Sequence, residues 1–188
     1  MHTMYCMSGR EAVKLCAMHA LIFRFIDICM LRSGPQDLPT SAFLLRILLA
    51  LNILVGTLVS FPLSGFDHAL MEVSLDIILL SILLYTGLQW RGLTSRFMQM
   101  FIALMGTGII FGMLMMPVVY QLVASKAANE PALFAALVWW CIVFWNITVM
   151  AHILRHGFNI HLAYAFVVAI GYILLFWQVS DWVFAGSV

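Results

Sequence analysis

Five apolar stretches, each long enough to cross a membrane, constrain this chain more than any other feature of its sequence. A helix needs about 20 predominantly apolar residues to span the hydrocarbon core of a bilayer. The stretches cover residues 42–63, 69–90, 97–123, 131–154 and 160–184. Short turns rich in glycine and polar residues separate them. We therefore predict an all-α, polytopic membrane helix bundle with five transmembrane helices in residues 41–188, preceded by an N-terminal segment of residues 1–40.

The composition agrees with a membrane protein and excludes several functions. Of the 188 residues, 64% are hydrophobic and 9% are charged, whereas a soluble domain has about 25% charged residues. A surface so poor in charge excludes a soluble enzyme and a disordered regulator. The net charge of +1 leaves no basic excess for nucleic acid. We expect membrane lipids around the chain, and a protein partner or a homo-oligomer stays open.

The N-terminal segment differs from the five stretches. Its apolar run, within residues 11–31, is interrupted by His19, Arg24 and Asp27. We interpret it as an amphipathic helix that lies at the cytoplasmic interface, with a sixth, shallow span as the alternative. Two prolines and a glycine in residues 33–40 end the helix before the first span.

The distribution of Lys and Arg predicts the orientation, because these residues accumulate in cytoplasmic loops. Four basic residues precede the first stretch, and the turn that follows it has none. The next turn carries Arg91 and Arg96, and the tail after the fifth stretch has no basic residue. The N-terminus is therefore predicted in the cytoplasm and the C-terminus outside. We expect an integral protein of a bacterial inner (cytoplasmic) membrane.

Acidic residues inside the second stretch form the first candidate site. His68, Glu72 and Asp76 recur every four residues, which places them on one face of a helix. Charges at membrane depth are costly and mark a site hypothesis by default. Asp76 is the deeper acid, and Asn52 and Asn146 are its candidate partners. The stripe indicates either a proton or cation path from the outer face or a structural hydrogen bond within the bundle.

A basic cluster at the end of the fourth stretch forms the second candidate site. His152 and His156 are spaced like two metal or haem ligands on a helix, and Arg155 lies between them. Another span carries no histidine at mid-depth to face them, so we interpret all three as interfacial residues. The sequence has no glycine-rich phosphate loop, no Ser/His/Asp set and no zinc-protease motif. We therefore expect no enzyme activity, no catalytic residue, no cofactor and no bound metal.

The third stretch carries a weak packing motif. Gly108 and Gly112 form a GxxxG sequence, which allows a second helix to approach closely. We therefore predict that this span lies in the centre of the bundle.

Three segments resemble the Yip family of membrane proteins, the Ypt/Rab-interacting group, in its short prokaryotic form. They are residues 34–39 (GPQDLP), Met116-Pro117 at the end of the long third span, and residues 154–163 (LRHGFNIHLA). The resemblance covers roughly residues 23–184 and is mostly topological. Eukaryotic members act in vesicle trafficking by binding lipidated small GTPases and shaping membranes. The resemblance implies a non-enzymatic scaffold that organises membranes or binds a partner.

Two other functions compete with the scaffold hypothesis. Glu72 and Asp76 would serve a small proton- or cation-coupled permease, and His152 or His156 would serve a membrane subunit of a redox or assembly complex. A flux assay distinguishes the first alternative from a scaffold, and an absorption spectrum distinguishes the second.

Overall fold

The structure is a computed structural model that describes residues 10–129 and 131–184. Within these residues it contains six α-helices and no strand. The helices are α1 Arg10–Cys29, α2 Ala42–Ser64, α3 Phe66–Trp90, α4 Phe97–Ala127, α5 Leu133–Phe158 and α6 Leu162–Phe184. The predicted positions of the two chain termini concern residues 1–9 and 185–188 and lie outside the described residues.

The five predicted spans are confirmed as α2 to α6. Each is long and apolar enough to cross a membrane. The observed bounds differ from the predicted ones by a few residues at most of the helix ends. The largest differences are at α4, which continues to Ala127, and α5, which continues to Phe158.

The helix ends follow from local backbone chemistry. The Ser41 hydroxyl accepts a hydrogen bond from the backbone N–H of Leu44 at 3.4 Å and caps α2. Gly65 (φ +79°) and Gly92 (φ +66°) turn the chain in conformations that suit glycine. At the end of α5 the left-handed residue is Asn159 (φ 53°), one of the few other residues that adopt it readily. Gly157, two residues earlier, lies inside α5.

The five spans contact one another in the order α4, α2, α3, α6, α5 and back to α4, and α4 also contacts α3 across this arrangement. The most apolar window of α4 is 56% buried, against 17–22% for the other four spans. The additional burial arises because α1 and the turn after it also pack on α4. The prediction that this helix lies in the centre of the bundle is confirmed.

Close packing of α4 on α2 depends on two glycines. A Cβ atom at Gly108 would lie 2.8 Å from Nδ2 of Asn52, and one at Gly112 would lie 2.6 Å from Cγ1 of Val55. Both distances are below normal van der Waals contact, so only glycine fits here without a shift of α2. The GxxxG motif therefore acts as predicted, and it fixes Asn52 beside α4.

The C-terminal part of the N-terminal helix α1 packs against α4 and α5, and its position at the membrane interface stays a prediction. The Phe25 ring covers Gly106 of α4, and Ile28 and Cys29 are buried. The indole N–H of Trp145 donates to the Cys29 carbonyl at 2.9 Å. Trp145 lies about 20 Å along α5 from its end at Phe158, at 1.5 Å per residue. The C-terminal part of α1 thus packs beside the middle of the bundle, because Gly106 leaves room for a large ring.

The chain turns back directly after α1. Leu31 adopts a left-handed conformation (φ 62°), and the backbone N–H of Arg32 donates to the Asp27 carbonyl at 2.8 Å. This is the Schellman arrangement that closes many helices. A single turn of 3₁₀-helix at Pro35–Asp37 follows, and the Arg24 guanidinium donates to the Asp37 carbonyl. The segment is therefore a helical hairpin that enters and leaves the bundle at the same end.

Candidate functional site

A polar cavity lies between the five spans. It consists of two adjoining parts of about 200 and 340 Å³, and every one of α2 to α6 contributes to its wall. The polar residues of the wall are Asn52, Ser60, Glu72, Asp76, Thr107, Asn146 and Tyr172. The four residues proposed from the sequence, Glu72, Asp76, Asn52 and Asn146, are thus brought together, and their functional role stays a prediction.

Asp76 is the deepest acidic side chain of this cavity. It lies near the middle of α3. The Tyr172 hydroxyl of α6 donates to Oδ1 of Asp76 at 2.5 Å and lies 3.0 Å from the Asp76 backbone carbonyl. Tyr172 is itself buried. This contact joins α3 to α6 and leaves the second carboxyl oxygen, Oδ2, without a hydrogen-bond partner among the described residues.

The two amides of the cavity are placed differently. The Asn52 amide donates to the Met105 carbonyl at 3.2 Å, which ties α2 to α4. The Asn146 amide lines the same wall and makes no hydrogen bond to another residue in the described ranges. The Thr107 hydroxyl donates within its own helix, to the Ala103 carbonyl at 2.9 Å. Asn146 therefore has donors and an acceptor available to a group in the cavity.

Glu72 lies one helical turn from Asp76, toward the start of α3. It lines the larger part of the cavity together with Ser60 of α2. His68 lies a further turn along the same face, and its ring packs on Phe184 with centroids 5.6 Å apart. The stripe predicted from the sequence is therefore continuous from the Phe66 end of α3 to Asp76. On the opposite side of Asp76 the wall is apolar, with Leu80, Leu104 and Met105.

Among the described residues, no basic side chain lines the cavity. An ionised carboxylate at this depth has no positive partner to offset its desolvation, which costs several kcal/mol in hydrocarbon. Oxygen atoms from carboxyl, phenol, amide and hydroxyl groups are the ligands that protons and hard cations prefer. The arrangement can therefore hold a proton or a small cation on Asp76.

The histidine cluster lies elsewhere and has a structural contact. Nε2 of His152 lies 3.1 Å from the Ser33 carbonyl, which ties α5 to the turn after α1. The His152 and His156 rings pack edge to face at 4.5 Å, and Arg155 is exposed. No group of three or more His, Cys, Asp or Glu side chains suited to a metal occurs within residues 10–129 and 131–184.

Sequence reasoning missed three polar residues of this cavity, Ser60, Thr107 and Tyr172. For Tyr172 a signal was available, because a tyrosine in the middle of a span has to find a partner for its hydroxyl. The docking of α1 was missed for a similar reason, since Trp145 is also a mid-span residue with a polar N–H.

The sequence matches no known protein family, and comparisons with curated proteins and with solved structures give no match. The resemblance to the Yip family therefore stays a prediction.

Proposed function

We propose that this integral membrane protein binds a proton or a small cation at Asp76 and passes it along the cavity between the five spans. The observation that carries the proposal is a mid-depth carboxyl group in a polar cavity whose described wall contains no basic side chain. Such a group is neutral only when it holds a proton or a cation, so occupancy of the site and its charge are coupled.

Glu72 provides the route to the site. It lies between Asp76 and the Ser64–Asp67 end of the bundle, whereas the apolar residues Leu80, Leu104 and Met105 lie on the other side. An ion that enters at the Glu72 end meets Ser60 and Glu72 first and Asp76 with Tyr172 next. The other end of the path has to open for net transport.

The test is ion flux in liposomes. The purified protein is reconstituted into vesicles with a pH-sensitive or a sodium-sensitive dye inside, and the matching proton or sodium gradient is imposed. We expect the wild type to dissipate one of the gradients faster than empty vesicles. Asp76→Asn should lower this rate at least tenfold while the protein stays folded, because the amide can still accept the hydrogen bond of Tyr172 but cannot take up a proton or neutralise a cation.

Two variants make this test specific. Asp67→Asn changes an exposed acid on the same helix and should leave the flux unchanged. Glu72→Gln should lower the rate less than Asp76→Asn does, because water in the cavity can replace part of the route. A wild type that is no faster than empty vesicles with either ion, or an Asp76→Asn variant with full flux, would contradict the proposal.

The Yip-like scaffold makes the opposite prediction for the same variants. A protein that organises membranes or binds a partner through its surface would show no flux, and its co-purifying proteins would not change in Asp76→Asn. A membrane subunit of a redox complex would instead show a visible absorption band that is lost in His152→Ala.

A further inference from the structure

An apolar groove separates α3 and α6 at one end of the bundle. The two helices touch in their other half, through Tyr172 and Asp76 and through His68 and Phe184. At the Trp90 end, α3 packs instead on α5, where a Cβ atom at Gly87 would lie 2.8 Å from the Phe158 ring. The groove that remains has a volume of about 420 Å³, within the roughly 300–1,000 Å³ of ligand sites.

The wall of this groove is suited to a hydrocarbon chain with a polar end. Leu83, Gly87, Phe158 and Val168 line its length, and Trp90 and Arg91 lie at its mouth. Trp90 is 96% exposed. Tryptophan at a span end is typical of the headgroup level of a bilayer, so the mouth of the groove lies where lipid phosphates lie.

A basic recess adjoins the mouth of the groove. It is lined by Arg155, Asn159, His161 and two apolar residues, has a volume of about 460 Å³ and shares Ile160 with the groove. The Arg91 guanidinium donates to the Asn159 carbonyl at 3.1 Å, and Asn159 lines the recess together with Arg155. Of the residues that the structure describes, no Asp or Glu lines either the groove or the recess.

We propose that the groove and the recess together bind one anionic phospholipid. The phosphate lies between Arg91 and Arg155, and one acyl chain lies in the groove against Phe158 and Val168. Basic pockets between transmembrane helices bind anionic headgroups in this way. The basic recess favours an anionic headgroup. The groove favours a lipid over a soluble phosphate compound, because such a compound has no acyl chain to bury there.

Native mass spectrometry of the protein in mild detergent tests this site. Phosphatidylglycerol and phosphatidylcholine with the same acyl chains are titrated separately, and the first bound lipid is counted. We expect phosphatidylglycerol to bind more tightly. Arg91→Gln and Arg155→Gln should each weaken it about fivefold, the contribution of one interfacial cation, and the double variant more.

Two further variants separate charge from shape. Arg46→Gln removes an exposed arginine of α2 that lines neither the groove nor the recess, and it should leave phosphatidylglycerol binding unchanged. Val168→Phe fills the groove without a change of charge and should weaken both lipids alike. Equal affinity for the two lipids in the wild type, wild-type affinity in the double arginine variant, or an equal loss in Arg46→Gln would overturn the proposal. Melting temperatures of all variants identify any that fail to fold.

Discussion

At the scale of single residues, Cys29 reports whether α1 is docked. Its thiol is buried against the bundle, and burial raises the pKa of Cys29 from 9.0 to about 11. Thiolate is the reactive form of cysteine. With a pKa of about 11, the thiolate fraction of Cys29 at pH 8 is about a hundredfold lower than that of a cysteine with a pKa of 9.0. A docked α1 therefore predicts slow alkylation of Cys29.

Trp145→Phe should speed this alkylation. The change removes the indole N–H that binds the Cys29 carbonyl and keeps an aromatic ring in place, so α1 should open more often and expose the thiol. In a chain whose other cysteines are replaced by serine or alanine, we expect maleimide labelling at pH 8 to increase at least fivefold. Trp140→Phe, which changes an exposed tryptophan of the same helix, is the matched control. Equal labelling in the wild type and Trp145→Phe would contradict the docked position.

Residue types also explain which part of the candidate site was visible in the sequence. Glu72 and Asp76 stand out because charge is rare in a span, and Asn52 and Asn146 because amides there bind across helices. The similar depth of these four residues in their spans is enough to predict that they line one cavity. Tyr172 is ambiguous in the sequence, since tyrosine also lines the lipid headgroups, and only the contact between α3 and α6 assigns its hydroxyl to Asp76.

At the scale of elements, hydropathy predicts the five spans. An apolar segment in lipid has to hydrogen-bond its own backbone N–H and C=O groups, and it therefore forms a helix. It does not predict that the end of α1 packs on α4 and α5. The charges of α1 indicate an interfacial helix, which stays a prediction, and the Arg24 guanidinium binds the Asp37 carbonyl, which joins α1 to the turn that follows it. Such a contact depends on a turn more than ten residues away, which periodicity cannot reveal.

The α2–α4 interface yields a prediction at the same scale. Gly112→Ala should destabilise the protein by about 1–3 kcal/mol, because the new methyl group overlaps Val55 and forces the helices apart. Gly171→Ala is the control, since a Cβ atom there meets nothing within 4 Å and alanine favours a helix by up to about 1 kcal/mol. Thermal unfolding in detergent measures both changes. A Gly112→Ala variant as stable as Gly171→Ala would mean that α2 and α4 do not pack as described.

At the scale of the whole molecule, contacts between the spans determine which helix ends lie at the same end of the bundle. Gly157 of α5 packs on Met100 of α4, and Gly87 of α3 packs on Phe158 of α5, so the same end of three helices is fixed by direct contacts. The Arg91–Arg96 turn, the basic end of α5 and the hairpin after α1 therefore share one end of the bundle. The Gly65 turn and the Glu72 end of the cavity share the other.

The orientation of this bundle in the membrane is the remaining prediction. Basic residues gather at the Arg91 end, so that end should face the cytoplasm, and the cavity should then be reached from outside. In a chain without other cysteines, Asp67→Cys and Ser95→Cys introduce thiols at exposed positions of the opposite ends. We expect a membrane-impermeant maleimide to label Asp67→Cys in intact cells and Ser95→Cys only after permeabilisation. Gln36→Cys, exposed in the turn after α1, should behave like Ser95→Cys, because α2 crosses the membrane between Gln36 and Asp67. Labelling of Gln36→Cys together with Asp67→Cys would mean that α2 does not cross the membrane, and reversed labelling of the first pair would place the entrance to Glu72 and Asp76 in the cytoplasm.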